Sequence, residues 1–97
     1  MKLYYSSGAC SLSCHIALEE TGATYTAIQV DWEKPDQNLS EMERLNPLKA
    51  VPVLVTEQGK VLTQNIAIME YVADLKPTSQ LLPAVGTFER AQTMSWL

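Results

Sequence analysis

Within its first thirty residues the chain changes hydrophobic period twice, and this constrains the fold more than any other feature. Lys2-Leu3-Tyr4-Tyr5 is short, aromatic-rich and closed by Ser6-Ser7-Gly8, which reads as a strand running into a turn. From Leu12 the spacing becomes helical. Leu12, Ile16 and Ala17 share one face, Glu19 and Glu20 lie outside it, and Thr21-Gly22 is a stop signal. Tyr25 to Val30 is β-branched and aromatic with partial alternation, a second strand. Strand, helix and strand in so short a span predict a right-handed crossover and a parallel pair.

Asp31 to Ser40 is polar, carries Pro35 and reads as loop. Ser40-Glu41-Met42-Glu43 can cap a short helix that must end near Asn46-Pro47. Val51 to Thr56, the turn Glu57-Gln58-Gly59-Lys60 and Val61-Leu62 form a hairpin pattern. Asn65 to Leu75 is the clearest helix, with Ile66, Met69, Val72 and Ala73 at helical spacing and Pro77 ending it. The order is β-α-β, a loosely helical linker, then β-β-α: an α/β sandwich with one mixed sheet. Past Leu81-Leu82-Pro83 a further helix opens, with Thr87 as cap and Phe88, Ala91 and Trp96 apolar, and it reaches Leu97 without a stop signal. It reads either as a frayed end or, the preferred expectation, as a helix cut within a second domain.

A chain of 97 residues makes one domain at most, able to bury roughly 60–65% of the surface it exposes when unfolded. Its net charge of −4, with no Lys/Arg cluster, gives no footprint for nucleic acid or an anionic membrane. No apolar run approaches the ~18–20 residues of a membrane span. Met1-Lys2 leads straight into the first strand, without the charged and apolar regions of a signal peptide. Two cysteines are too few for a disulfide framework, and a reducing, intracellular compartment is expected.

The stretch Gly8-Ala9-Cys10-Ser11-Leu12-Ser13-Cys14-His15 gathers both cysteines and the only histidine. Cys10 falls at a helix N-terminus, where free backbone N–H groups and the positive end of the macrodipole favour thiolate over thiol. The same amides would hydrogen-bond a sulfur anion on a ligand, and Ser11 adds a hydroxyl. Equally open locally is the reading of Cys10 as a small buried hydrophobe and Ser11 as an N-cap. Cys14 lies one turn on. The C-x-x-x-C spacing is not that of a dithiol redox site, so Cys14 is read as packing. His15 reads as a helix-surface residue or a hydrogen-bonding partner near the strand edge. Zinc would need four ligands at spacings the chain lacks, so no metal is expected.

Three segments together resemble the glutathione S-transferases, specifically the bacterial beta class: Lys2-Leu-Tyr-Tyr-Ser-Ser-Gly-Ala-Cys-Ser-Leu-Ser, Asn46-Pro-Leu-Lys-Ala-Val-Pro-Val-Leu, and Leu62-Thr-Gln-Asn-Ile-Ala-Ile-Met-Glu-Tyr-Val-Ala-Asp. The likeness runs in register to about Leu82. It implies a thioredoxin-like glutathione-binding domain over residues 1–82, with a four-stranded mixed sheet. Residues 83–97 would be a linker and the start of an all-α domain that lines the electrophile pocket.

By this resemblance Cys10 is the catalytic candidate and Ser11 a lesser one, with Ala9 beside them in the glutathione site. Val51-Pro52 would be a cis peptide, its Val51 backbone pairing with the cysteinyl part of glutathione. Gln64 and Asn65 would hold the amine and carboxylate of the γ-glutamyl end, although Gln-Asn departs from the usual Glu-Ser; read locally, Asn65 is a helix N-cap. Lys34, after the second strand, is a candidate for the glycine carboxylate. Tyr5 is a rival hydroxyl for activating the thiol, with core packing the default for both Tyr4 and Tyr5. The implied protein is a cytoplasmic, homodimeric transferase that uses glutathione as co-substrate against small electrophiles, with thiol-disulfide exchange at Cys10 as a related activity. The alternative is a non-catalytic module of the same fold used for interaction or regulation.

Overall fold

The computed structural model describes Met1 to Leu97. In chain order the elements are β1 (Lys2–Tyr5), α1 (Ser11–Thr21), β2 (Thr26–Gln29), α2 (Gln37–Leu45), β3 (Val53–Val55), β4 (Val61–Thr63), α3 (Asn65–Leu75), a 3-10 turn (Pro77–Ser79) and α4 (Phe88–Ser95). The strands form one mixed sheet in the order β2-β1-β3-β4. β1 runs parallel to β2, with Leu3 opposite Ala27, and antiparallel to β3, with Leu3 opposite Leu54. β3 and β4 close the hairpin, Leu54 facing Leu62. This is the predicted four-stranded mixed sheet.

Alternation along β1 explains the layers. Successive side chains of a strand point to opposite faces, so Leu3 and Tyr4 anchor two separate cores. Leu3 packs with Leu54 against Cys14, Ala17 and Leu18 of α1 and Ile68 and Val72 of α3. Tyr4 packs with Val53 and Val30 against Leu39 and Met42 of α2. The sheet is therefore covered by α1 and α3 on one face and by α2 on the other.

The structure corrects two expectations. Leu12 and Ile16 are not on the buried face of α1: they are 59% and 54% exposed, while Ser11, Cys14, Ala17, Leu18 and Thr21 are buried. Small residues face inward because α1 lies against both the sheet and α3. The second correction concerns α2, which starts at Gln37, inside the stretch read as loop. Its cap is Asp36, whose carboxylate accepts from the Leu39 N–H at 3.1 Å and satisfies an otherwise orphaned donor.

The stop at Gly22 is as expected: it takes φ 68°, a left-handed turn that glycine adopts without a Cβ penalty. Thr87 caps α4 by accepting from the Arg90 N–H at 3.2 Å. No helix is long and apolar enough to cross a membrane.

Candidate functional site

Three chain segments converge at one end of the sheet: the start of α1, the loop entering β3 and the start of α3. Between them is a small cleft of about 100 Å3, lined by Cys10, Asn46, Val51, Pro52, Gln64 and Asn65 among others. A larger hollow of about 580 Å3, between the end of α3 and residues 80–85, contains none of these groups. The small cleft is where the sequence-predicted groups meet: Cys10, Val51, Pro52, Gln64 and Asn65 line it together.

Cys10 occupies the N-cap of α1 and is exposed. Its sulfur lies 3.9 Å from the Val51 carbonyl oxygen. The N–H groups of Cys10 and Ser11 donate to no backbone carbonyl. Two orphan donors and the positive helix end thus surround the place where a sulfur anion would sit. Ala9 closes the turn into the helix, its N–H donating to the Ser6 carbonyl at 3.2 Å.

The opposite wall is backbone. The Val51-Pro52 peptide is cis. Neither the N–H nor the C=O of Val51 has a backbone partner, so it presents one donor and one acceptor like the free edge of a strand. The loop before it is organised by Asn46, which is 3% exposed. The Asn46 amide donates to the Ala50 carbonyl at 2.8 Å, and its oxygen accepts from the Leu48 N–H at 3.1 Å. In the sequence, Asn46-Pro47 marks the end of α2 and opens one of the three resemblance segments, without a role in holding the loop. The signal for its larger part was the Asn-Pro dipeptide itself, a turn former whose side chain can bond its own backbone.

At the third corner Gln64 takes φ 73° and ψ 127°, a region that residues with a Cβ avoid, and it is the N-cap of α3 without a side-chain cap bond. Such a conformation persists only where its surroundings enforce it, and such sites are commonly functional. Asn65 is the first residue of α3 and so is not its cap, a correction to the local reading. Its Oδ1 lies 2.9 Å from both Ser13 Oγ and Cys14 Sγ.

Other candidates fall elsewhere. Ser11 is buried; its hydroxyl donates to the Ser6 carbonyl at 3.2 Å and accepts from the Ser6 N–H at 3.3 Å. It braces the turn, and Ser11 is not among the residues that line the cleft. Lys34 is exposed in the loop between β2 and α2, outside the cleft lining. Tyr4 is fully buried, and its hydroxyl has no hydrogen-bond partner. Tyr5 meets His15 in a tilted pair, 4.5 Å between ring centroids, and His15 also meets Tyr25 at 6.0 Å. Neither Tyr4 nor Tyr5 lines the cleft. Cys14 is core, as its spacing implied, and burial followed by the nearby Cys10 pushes its thiol up to about 12.

The fold and the thiol at the mouth of its first helix, facing a strand edge, define a thioredoxin-like domain. More particularly, the chain belongs to the glutathione S-transferase family: residues 1–74 match the family described as "Glutathione S-transferase, N-terminal domain". It is 43% identical over 98 residues to "Glutathione S-transferase GstA" of Escherichia coli O157:H7, covering all of this chain and 49% of that protein. Among solved structures, a bacterial beta class glutathione S-transferase from Sphingomonas chungbukensis superposes with a TM-score of 0.90 at 45% identity, covering 98% of this chain and 48% of that one. A sphingomonad glutathione S-transferase complexed with glutathione gives a TM-score of 0.84 at 42% identity, again over 98% of this chain and 48% of that one. The chain spans about half the length of the curated relatives it matches.

Proposed function

We propose that the protein is a glutathione transferase whose cleft binds glutathione and presents its thiolate to small electrophiles. One observation carries the reading: an exposed Cys10 sulfur and two unpaired amides lie opposite the Val51 backbone, which has no main-chain partner, with Gln64 and Asn65 closing the same cleft. Glutathione is a peptide with a free edge, a thiol and charged ends, and each wall meets one of these. The N–H and C=O of Val51 pair with the cysteinyl backbone. The amides of Cys10 and Ser11 stabilise the sulfur as its proton leaves for solvent. Gln64 accepts from the γ-glutamyl amine, and Asn65 donates to the adjacent carboxylate. Lys34 reaches the glycine carboxylate from outside the cleft. The glutathione complex of the sphingomonad relative supports the ligand.

In conjugation the glutathione sulfur bonds to the electrophilic carbon, and the leaving group departs with the electron pair of its bond. The exposure of Cys10 also supports disulfide exchange. Its thiolate attacks a glutathione mixed disulfide, forms a Cys10–glutathione disulfide and releases the other thiol. The electrophile site would be completed by an all-α domain following this one. A homodimer, a cytoplasmic location and a detoxifying role complete the proposal.

Replacing Cys10 with Ala separates the two activities. The expected result is loss of disulfide exchange, with conjugation of a chloronitroarene reduced but retained because the helix amides remain. Equal retention of both activities in that variant would remove Cys10 from catalysis.

A further inference from the structure

The Asn65 side chain is held by residues beneath the cleft that do not line it. Its Oδ1 is 2.9 Å from Cys14 Sγ and 2.9 Å from Ser13 Oγ, and Cys14 also faces the Asn65 main-chain oxygen at 3.8 Å. Ser13 Oγ is also 2.9 Å from the Cys10 carbonyl, and its one proton is shared between these two acceptors, so Ser13 links two corners of the site as the weaker donor to Oδ1. A thiol has one proton to donate, and its sulfur accepts only weakly. Cys14 is fully buried, and its ionisation is pushed up to about 12, so that proton stays in place across the physiological range. The oxygen of the Asn65 carboxamide is therefore the end that turns toward α1.

The other end of the amide is left free. The NH2 of Asn65 makes no hydrogen bond within the chain and is not a buried orphan, while Asn65 itself lines the cleft. An asparagine can offer a ligand either a donor or an acceptor. A carboxylate is bound only by the donor end.

We propose that Cys14 and Ser13 are positioning residues that lock the Asn65 carboxamide with its NH2 toward the cleft, and so set its preference for a carboxylate ligand. The proposal rests on the reading that Asn65 contacts the γ-glutamyl carboxylate.

The test is a double-mutant cycle on the full-length protein, with glutathione affinity read by titration calorimetry. Cys14→Ala removes the donor and should weaken glutathione binding about three- to tenfold. Cys14→Ser restores a donor of similar size and should bind within about twofold of the parent, a rescue that packing alone does not provide. Asn65→Ala should weaken binding on the order of tenfold, and adding Cys14→Ala to it should change nothing further. Equal losses from Cys14→Ala with and without Asn65, or identical affinities for the Ala and Ser variants, would overturn the positioning role and leave the Asn65 reading intact. Unchanged affinity in Asn65→Ala would overturn both. If Cys14→Ala does not fold, Ser13→Ala on the same carboxamide provides an equivalent cycle: a loss that vanishes without Asn65 supports the positioning role, and an equal loss in both backgrounds overturns it.

Discussion

Two thiols one helical turn apart meet opposite environments in α1: Cys10 is exposed beside the Val51 carbonyl, and Cys14 is sealed in the core between α1 and α3. The contrast shows itself at high pH. Burial raises the Cys14 thiol from 9.0 to about 12, and burial, reinforced by Glu41, raises the Tyr4 hydroxyl from 10.0 to about 12. Between pH 9 and 12 the folded chain keeps protons that the unfolded chain gives up. The stability tied to these groups is whole below the unfolded values and drains away as pH climbs toward the folded ones. Denaturant melts across pH 7 to 11 should show stability falling from about pH 9, by up to about 1.4 kcal/mol per pH unit for each group. Cys14→Ser, with nothing left to ionise there, should delay the onset by about one unit, to where Tyr4 and Tyr25 begin to act. A flat profile in the parent would mean that neither group is desolvated by folding.

At the scale of the element, the start of α2 is held by its Asp36 cap and by Asn38, whose amide donates to the Gln29 carbonyl of β2 at 3.2 Å. Only Leu39 and Met42 are buried on its inner face. Asp36→Ala should cost about 1 kcal/mol. Hydrogen exchange should then quicken over residues 37–45, with the amides of the central strands β1 and β3 protected as before. Uniform acceleration across the sheet would show instead that α2 unfolds only with the whole domain. The helices also show what periodicity can and cannot decide. Spacing correctly gave α3 its limits, Asn65 to Leu75, and Val72 and Ala73 their burial, yet Ile66 is 42% exposed and Ile68 is buried in its place. In α1 the shared face of Leu12 and Ile16 is real, but it turns outward. Period fixes which residues lie together and leaves open which of two apolar faces meets the sheet.

For the whole molecule, the least expected feature is the attachment of α4. Arg90 is nearly buried and makes a forked pair with Asp74 of α3, at 2.8 and 3.2 Å. It also donates to the Pro83 carbonyl at 3.0 Å and lies 3.5 Å from Glu70. One planar guanidinium thereby ties α4, the linker and α3 together, a geometry that lysine cannot reproduce. Arg90→Lys should free the 83–88 linker, seen as severalfold faster limited proteolysis there, with the melting temperature of the sheet domain little changed. Unaltered cleavage would mean that the remaining contacts of α4 hold it without the fork. Around this tie the molecule leaves large apolar side chains in solvent: Leu12 and Ile16 on α1, Ile66 on α3, and Phe88 and Trp96 at the ends of α4.

The sequence by itself determined the order of elements, the mixed sheet, the stop at Gly22 and the cap at Thr87, because these depend on local periodicity and on single residues at helix ends. Resemblance then pointed to the thiol, the strand-entry proline and the start of α3 as one site. Tertiary structure decided what those residues face. It turned the Ser11 hydroxyl into the Ser6 turn, left Lys34 outside the cleft and placed Cys14 against Asn65. None of these could be read from spacing, since each depends on a contact between segments distant in sequence or on which side of a turn faces inward. The same reason separates the two cysteines: their positions on one helix are local, whereas the Val51 carbonyl and the Asn65 carboxamide reach them only when β3 and α3 pack beside α1.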